Sequence, residues 1–364
     1  MSSLIVEVCQ VSDIKQHPNA DRLDLITIKG WQVITGRGEY KTGDKVVYIP
    51  PDAVLPERLI EELGVEKYLA GKDKNRVRVA RLRGEVSMGL VFRSELSLGA
   101  DVAECFGVTK YEPPIRPQHG DVAPKDANFP EYTNIENINN FPAVFNEGET
   151  VVVTEKIDGS NCRVGFEIKP TDARCPDIEM KAGSHRVKRI EPDSEKMVEQ
   201  NIYWYPHSLK PIRGFLEYKI DSSDATCVTV YGEVYGKVRG GHKSLHYGRL
   251  GTLNFIAFDI EIDWKYLSWE DFNTICDTHN IPRPPVLYVG PYSIEKMREL
   301  AVGSSELAKI NGADHMREGI VIRSYNERSD TRCSRAVLKM LNPEYLLLKE
   351  KKRAKGEVVD FADV

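Results

Sequence analysis

The sequence contains no long apolar run, and it does not begin with a basic stretch followed by an apolar core. Crossing a bilayer takes about 20 consecutive apolar residues, and no segment approaches that length. A secretory signal peptide combines a positive start with a short apolar core, which the opening MSSLIVEVCQ does not show. We therefore expect an intracellular protein, cytoplasmic or nuclear, with no membrane partner.

Cysteines are few and widely spaced. The chain has seven, and none of them forms a CxxC pair. A disulfide framework uses an even set of cysteines, and a structural zinc site uses closely spaced ligands. The pattern favours free thiols in a reducing compartment over either kind of site.

An overall positive charge is also absent, because 50 Lys and Arg face 55 Asp and Glu for a net charge of −5. Any nucleic-acid surface must then be local. The best basic candidate is the segment Lys72–Arg83. There, Arg76 and Arg78 alternate with valines, and a strand would place both arginines on one face. That face is either a nucleic-acid contact or an ordinary solvated surface.

The 364 residues suffice for two domains. Residues 1–112 contain short β-rich runs between turn residues, which predict a small barrel. Residues 113–145 are rich in Pro and Asn and predict a linker. Residues 146–364 predict a second domain of strands and helices. The predicted strands of the first domain are Leu4–Val8, Leu23–Ile28, Gln32–Thr35, Lys45–Ile49, Val77–Leu82 and Gly89–Phe92, and the clearest predicted helices of the second are Trp269–His279 and Ser293–Leu300.

The stretch Val151–Arg163 combines a buried strand with chemically active residues at its end. Three consecutive valines predict the strand. Lys156 follows it, where burial would lower the lysine pKa and turn the ammonium into an amine nucleophile. Asp158 adds a carboxylate, and Gly159 allows backbone to come close to a ligand. A strand end with a surface lysine and a turn would give the same pattern.

Several later segments carry charged or aromatic residues on predicted strands or in the turns between them. Taken singly, each acid is more often a surface or salt-bridged carboxylate, and each aromatic is as often a core residue. Their significance depends on whether they meet at one place in the fold. The segments are Met180–Arg186, Val228–Gly236, Phe255–Ile260, Arg317–Arg323 and Ala336–Asn342.

Together these segments resemble the ordered motifs of the covalent nucleotidyltransferases, the superfamily of ligases and mRNA-capping enzymes. The run KIDGSN over 156–161 is similar to the KxDGxN signature of that family. The resemblance covers residues 146–346. It implies that Lys156 attacks the α-phosphate of a nucleoside triphosphate and becomes Lys–NMP.

The resemblance also implies roles for the other site residues. The nucleotide-binding set is Glu155, Lys156, Asn161, Arg186, Glu233, Phe258 and Lys339. The metal-binding set is Asp158, Glu233 and Glu318. Phe258 would stack on the purine, unless Phe255 on the other strand face does so. The metal and Lys339 would depress the pKa of Lys156. The family often has two lysines in its last motif, whereas this chain has only one there.

The first domain resembles the OB-fold tRNA-binding domain of some aminoacyl-tRNA synthetases and their helper proteins. The runs HPNADRL at 17–23, GDKVV at 43–47 and LRGEVSMGL at 82–90 carry this resemblance. OB barrels bind oligonucleotides on one face with basic residues along the phosphates. Arg76 and Arg78 are the candidate RNA-binding residues.

The order of the two domains resembles that of the Naegleria-type ATP-dependent RNA ligases. The resemblance implies an α+β protein, in which an N-terminal OB-like β-barrel precedes a nucleotidyltransferase domain of antiparallel sheets with flanking helices. It implies ATP with Mg²⁺ or Mn²⁺, and RNA with 3′-OH and 5′-phosphate ends, a nicked duplex being one form. RNA would be joined through Lys156–AMP and adenylylated RNA, and we expect a monomer. A DNA ligase or capping-type enzyme, and a non-catalytic RNA- or tRNA-binding protein, stay open as alternatives.

Overall fold

The computed structural model describes residues 3–112, 121–169, 176–236, 245–248 and 251–355. They divide into two compact units. The first unit contains residues 3–112, 136–142 and 341–355, and the second contains 121–135 and the described part of 143–340. This division differs from the expected one, which placed a linker over 113–145 and assigned the whole C-terminal part to the second domain.

Short antiparallel strands dominate both units, with helices added. The strands are β1 (Glu7–Gln10), β2 (Asp13–Gln16), β3 (Leu23–Ile28), β4 (Trp31–Gly36), β5 (Lys45–Ile49), β6 (Ala53–Val54), β7 (Val79–Leu82), β8 (Glu85–Met88), β9 (Leu90–Arg93), β10 (Thr109–Lys110), β11 (Glu136–Asn137), β12 (Thr150–Glu155), β13 (Ser160–Lys169), β14 (Asp177–Gly183), β15 (Lys188–Arg189), β16 (Cys227–Tyr235), β17 (Asn254–Ile262), β18 (Lys265–Tyr266), β19 (Val286–Pro291), β20 (Gly319–Ser324), β21 (Ser329–Asp330), β22 (Ser334–Arg335) and β23 (Val337–Leu341). The helices are α1 (Glu57–Leu63), α2 (Ala103–Phe106), α3 (Glu195–Gln200), α4 (Tyr205–Ser208), α5 (Lys210–Ser222), α6 (Trp269–His279), α7 (Ile294–Ala301), α8 (Glu306–Ile310) and α9 (Pro343–Ala354), and a short 3₁₀ turn covers Glu66–Tyr68.

The first unit is the barrel-like domain that the strand pattern predicts. Its strands pair in the orders β1-β5-β9, β2-β3-β4, β7-β8 and β6-β10. The central strand β5 buries both of its faces, with Val46 and Tyr48 in one apolar cluster and Val47 and Ile49 in another. The strand is apolar from Val46 to Ile49, because successive side chains point to opposite faces and both faces are buried.

The C-terminal helix α9 belongs to the first unit. Leu347 packs in the same apolar cluster as Tyr48. Glu350 forms a two-pronged ion pair with Arg76, at 2.9 and 3.0 Å. Because of these contacts, α9 belongs to the first unit. No pattern in the sequence predicts that the C-terminal segment packs on residues so far away along the chain.

The prediction that Arg76 binds RNA was wrong. Its side chain is 7% exposed, and its guanidinium also donates to Asp52 at 2.6 Å. The regular strand begins only at Val79, so the expected shared strand face of Arg76 and Arg78 does not exist. Arg78 is half-buried and donates from Nε to the Tyr68 carbonyl at 3.2 Å. A contact of Arg78 with RNA stays a prediction.

The turn between β12 and β13 connects two antiparallel sheets of the second unit. One sheet has the order β15-β14-β13-β16-β17-β18, and the other contains β23-β20-β12-β19. The consecutive strands β12 and β13 belong to different sheets. Val151, Val152 and Val153 of β12 are fully buried, as the valine run predicts for a strand with both faces covered.

Helices α5 and α6 pack on the six-stranded sheet. Phe215 of α5 and Phe272 of α6 share a core cluster with Val164 and Val230 of the sheet. The predicted helix over Trp269–His279 is confirmed, and its Ser268 Oγ accepts from the Asp271 N–H at 3.1 Å. Among the described residues, no helix is long and apolar enough to span a bilayer.

Candidate active site

Lys156 lies where the chain passes from one sheet of the second unit to the other. β12 ends at Glu155 and β13 begins at Ser160. The Lys156 backbone N–H donates to the Gly319 carbonyl at 3.0 Å. That bond holds the start of the turn against β20, so the lysine emerges beside the strand that follows Glu318.

Three carboxylates act on the Lys156 ammonium. Its Nζ lies 2.9 Å from Oε1 of Glu318. Desolvation lowers the pKa of Lys156, but the charges of Glu318, Glu233 and Asp158 outweigh it and hold the pKa above its ordinary value. We expected burial, and also a metal with Lys339, to depress this pKa, and burial does not do so here because the charges of the three acids outweigh it. The protein's own groups act in the opposite direction and keep the amine protonated near neutral pH.

The same three acids are the predicted ligands of a divalent cation. Mg²⁺ takes carboxylate oxygens and keeps much of its water shell, so a few carboxylates suffice to hold it. Asp158, Glu233 and Glu318 lie on three separate segments, and the charge of each raises the pKa of the same lysine. They are the residues that could hold the metal.

A second acidic group in the second unit has its charge neutralised by lysines. Oxygens of Asp126, Glu167 and Glu179 lie within 4.8 Å of one another. However, Lys181 lies 2.8 Å from Asp126, and Lys188 lies 2.6 Å from both Asp126 and Glu179. These acids therefore form a partly buried ion-pair network and are not candidate metal ligands.

Strand pairing brings Glu233 to the turn of Lys156. Asn161 of β13 lies directly opposite Glu233 of β16. A Cβ at Gly159 would lie 2.6 Å from Cγ of Glu233 and 2.5 Å from the Val234 carbonyl oxygen. Only glycine permits this approach. The buried Oδ1 of Asn161 accepts no hydrogen bond from the part of the chain that the structure describes.

Leu245 and Tyr247 both form hydrogen bonds with Asp158, which lies in the turn between β12 and β13. The Leu245 N–H donates to Oδ2 of Asp158 at 3.0 Å. The Tyr247 hydroxyl accepts from the Asp158 backbone N–H at 2.7 Å. Burial, with the charges of Glu318 and Asp158, raises the pKa of Tyr247 well above its ordinary value. The Tyr247 phenol is therefore neutral. No pattern in the sequence marks Tyr247 as a site residue.

His315 continues these contacts toward Glu318. Its Nε2 accepts from the Tyr247 backbone N–H at 3.2 Å. The ring proton is then on Nδ1, which donates to the Met316 carbonyl at 2.9 Å. The rings of Tyr247 and His315 pack edge to face with centroids 4.9 Å apart. Neither residue belongs to a motif that the resemblance supplied.

The carboxylate of Glu155 is buried and accepts hydrogen bonds from the protein itself. It is 1% exposed and accepts from the backbone N–H groups of Glu306 and Leu307, at 2.8 and 3.1 Å, and from the Ser305 hydroxyl. These donors form the N-terminal end of α8, where a negative charge is stabilised. The side chain therefore has a structural role, and a nucleotide contact of Glu155 stays a prediction.

Of the two candidate stacking residues, Phe258 has the accessible ring. Phe255 is 2% exposed and lies in the core cluster, with its ring over Gly232. The pairing of β16 with β17 shifts between Tyr231 and Gly232 and leaves out Phe258. Phe258 is half-buried and packs edge to face on Tyr132, with ring centroids 5.0 Å apart.

The basic candidates Arg186 and Lys339 act on a common neighbour. Arg186 is exposed in the turn between β14 and β15, and Lys339 is half-buried on β23. Desolvation lowers the pKa of His185 to about 4, and the charges of Arg186, Arg163 and Lys339 contribute in the same direction. Phosphate contacts of Arg186 and Lys339 stay a prediction.

Comparison with family models gives the same two-part organisation. A model described as RNA ligase matches residues 149–341, and an OB-fold domain model matches residues 5–94. A comparison with curated proteins gave no match. The two matched regions coincide with the second unit and with the strands of the first.

Solved structures of similar fold include several of the Naegleria gruberi RNA ligase. A mutant with ATP and Mn is 22% identical, with a TM-score of 0.71 over 96% of this chain and 100% of that chain. A mutant with AMP and Mn is 21% identical, with a TM-score of 0.72 over 95% and 98%. The structure with PPi is 21% identical, with a TM-score of 0.71 over 96% and 99%. At this level of identity the likeness establishes the fold.

Proposed function

From the premise that this chain belongs to the RNA ligase family, whose model spans more than half of it, we propose that it joins RNA 3′-OH and 5′-phosphate ends with ATP. The observation that carries the proposal is the Lys156 ammonium, 2.9 Å from Glu318 and influenced also by Asp158 and Glu233. The presence of ATP, AMP and Mn in structures of the Naegleria gruberi enzyme supports ATP and a divalent metal here.

In the first step, the unprotonated Nζ of Lys156 attacks the α-phosphorus of ATP. A P–N bond forms, the bond to the β-phosphate oxygen breaks, and pyrophosphate and a proton leave. The three acids favour the ammonium, so the lysine must lose a proton before it attacks. A divalent cation held by Asp158, Glu233 and Glu318 would neutralise phosphate charge and offset the effect of these acids on the lysine.

Other residues of the second unit would orient the nucleotide. Phe258 offers an accessible ring for stacking on adenine, and Asn161 offers an unused amide oxygen beside the turn. Lys339 and Arg186 supply positive charge for the phosphates. Holding the α-phosphate in line with Nζ accounts for much of the catalysis in such reactions, because little other covalent chemistry is required of the protein.

The later steps transfer AMP to RNA and then release it. The RNA 5′-phosphate attacks Lys156–AMP and forms a pyrophosphate bond, which frees the lysine. The 3′-OH then attacks the RNA phosphorus, forms the phosphodiester and releases AMP. A nicked duplex is one form of this substrate, the enzyme would act as a monomer, and Arg78 of the first unit would contact RNA phosphates.

Labelled ATP tests the nucleophile. Wild type should form a covalent adduct at 41 kDa, and Lys156→Ala should form none while keeping its fold. Because pre-adenylylated RNA bypasses the first step, Lys156→Ala should still close some of that RNA. Lys265→Ala serves as the control. It removes an exposed lysine of β18 in the six-stranded sheet and should form the labelled adduct like wild type.

The outcomes also separate the alternative functions. An adduct in Lys156→Ala would contradict the assignment of the nucleophile. No adduct in wild type would favour a non-catalytic RNA-binding protein. Equal sealing of an all-DNA nick and of a nick with a ribose at its 3′-OH side would favour a DNA ligase, since the 2′-OH is what distinguishes the two sugars.

A further inference from the structure

We propose that Tyr247 and His315 are positioning residues that hold the Lys156–Asp158 turn in register with Glu318 for transfer of AMP to the lysine. This inference rests on the proposed function. Neither residue belongs to a motif that suggested that function, and neither offers a charge to the phosphates. Their role follows from five hydrogen bonds and a ring contact in the second unit.

The first part of the argument is the attachment of the turn to the segment Leu245–Gly248. This segment bonds Asp158 twice, once at its side chain from Leu245 and once at its backbone N–H through the Tyr247 hydroxyl. Tyr247 is fully buried. Its oxygen accepts from a backbone donor that the turn geometry prevents from pairing within β12 or β13, and an unpaired buried donor is costly.

The second part is the attachment of Tyr247 to the segment that carries Glu318. His315 accepts from the Tyr247 N–H and donates to the Met316 carbonyl. Glu318 lies two residues beyond Met316, and Gly319 accepts from the Lys156 N–H at 3.0 Å. The bonds therefore form a closed circuit from Lys156 through Asp158, Tyr247 and His315 to the Glu318 segment and back.

A closed circuit of this kind fixes geometry on both sides of the reacting lysine. Attack in line with the departing pyrophosphate is sensitive to shifts of about 1 Å. The β12 to β13 turn is held by β20 at its start and by Tyr247 two residues later. Without the Tyr247 oxygen, the Asp158 backbone N–H would lose its acceptor while the Leu245 bond to its side chain remained, and both Lys156 and Asp158 would gain freedom relative to Glu318.

The decisive variant is Tyr247→Phe, which keeps the ring packing and removes the oxygen. Hydrogen exchange at the Asp158 amide should accelerate at least about tenfold, because the amide loses its acceptor. At saturating ATP, the single-turnover rate of adduct formation should fall about 10- to 100-fold. The ATP concentration for half-maximal rate should change less than about threefold, since Tyr247 is not proposed to touch the nucleotide.

Tyr48→Phe is the matched control. Tyr48 is a buried tyrosine of the first unit whose hydroxyl donates to the Met88 carbonyl at 2.8 Å. The Tyr48→Phe variant also loses a buried phenolic oxygen. It should leave hydrogen exchange at the Asp158 amide and the adenylation rate unchanged. If the two phenylalanine variants reacted at the same rate, Tyr247 would be merely structural. Undiminished protection of the Asp158 amide in Tyr247→Phe would also overturn the proposal.

His315 allows a test by partial rescue. Glutamine at 315 can place an acceptor near the position of Nε2, whereas asparagine can place a donor near that of Nδ1. We expect the hydrogen bond from the Tyr247 N–H to matter more than the bond to Met316. The adenylation rate of His315→Gln should therefore stay close to that of wild type, and the rate of His315→Asn should fall about tenfold. In the double variant Tyr247→Phe/His315→Asn, the losses should combine to less than their product. Equal rates for the two His315 variants, or fully multiplicative losses, would contradict the circuit.

The result can be separated from that of the proposed function. A wild type that takes no AMP from ATP would contradict the function itself. A wild type that reacts normally, with a Tyr247→Phe variant as active as Tyr48→Phe, would contradict only the positioning role. The exchange measurement needs no ATP and reports the Tyr247 contact in either case.

Discussion

At the scale of single residues, Phe258 lies at an irregularity of β17 that frees its ring from the core. The pairing register passes over it, while Phe255 remains buried three positions earlier. Base stacking on an aromatic ring is worth about 1–3 kcal/mol. Phe258→Leu should therefore raise the ATP concentration for half-maximal adduct formation about 5- to 100-fold, with little change in thermal stability.

Phe255→Leu is the control for this prediction. It should lower the free energy of unfolding by about 1–3 kcal/mol, as core substitutions do, and leave the ATP requirement of the folded protein unchanged. Thermal unfolding and ATP titrations of both variants provide the measurement. A wild-type ATP requirement in Phe258→Leu would remove Phe258 from the base site.

Residues that act in a local motif could be predicted from the sequence, and those that depend on distant partners could not. Lys156, Asp158 and Glu318 stand near strand ends in short runs, and the fold brings them to one place. The structural role of the Glu155 side chain could not be predicted, because its partner, the N-terminal end of α8, lies about 150 residues away. Tyr247 escaped notice because one tyrosine carries no pattern, and its acceptor role depends on a turn 89 residues earlier.

At the scale of secondary-structure elements, α9 is fastened to the first unit by an ion-pair network. Arg76 bonds Asp52 and Glu350, and Arg353 bonds the same two acids. Glu350→Gln should lower the free energy of unfolding by roughly 3 kcal/mol, the lower end of the range for breaking a buried pair. The lower end applies because Asp52 is 44% exposed and remains on Arg76.

The same helix supplies the control for this prediction. Glu344 pairs with Arg81, but the two side chains are 51% and 37% exposed. Glu344→Gln should change stability by less than about 1 kcal/mol, as for other exposed pairs. Denaturant titration of both variants measures the difference. Equal effects would show that burial does not strengthen the Arg76 network.

Elements with regular patterns were predicted, and those with sparse apolar residues were not. The valine-rich β12 and the capped helix α6 agree with their sequences. Helix α5 was not predicted, because only four of its residues, Ile212, Phe215, Leu216 and Ile220, face the core cluster and the rest are polar or small. The C-terminal helix α9 ends in a basic run, and Arg353 of that run bonds Asp52 and Glu350 in the first unit.

At the scale of the whole molecule, every proposed nucleotide and metal residue lies between positions 155 and 339, while residues 341–355 belong to the first unit. A chain of residues 121–340 should therefore take AMP from ATP. It should lose most of its sealing of RNA, because it lacks the first unit and the phosphate contacts proposed there. Adduct formation and sealing, measured side by side with the full chain, test this separation.

A chain of residues 121–355 is the matched comparison, because it retains α9 without the unit that covers it. Tyr345 and Leu347 are 1% and 5% exposed in the full protein, and both would face water in this chain. An uncovered apolar helix face promotes association, so 121–355 should aggregate in size-exclusion chromatography while 121–340 elutes as a single species. If the folded 121–340 chain formed no adduct, the first unit or α9 would contribute to the ATP site itself. If 121–355 behaved like 121–340, packing on the first unit would not be what holds α9 in place.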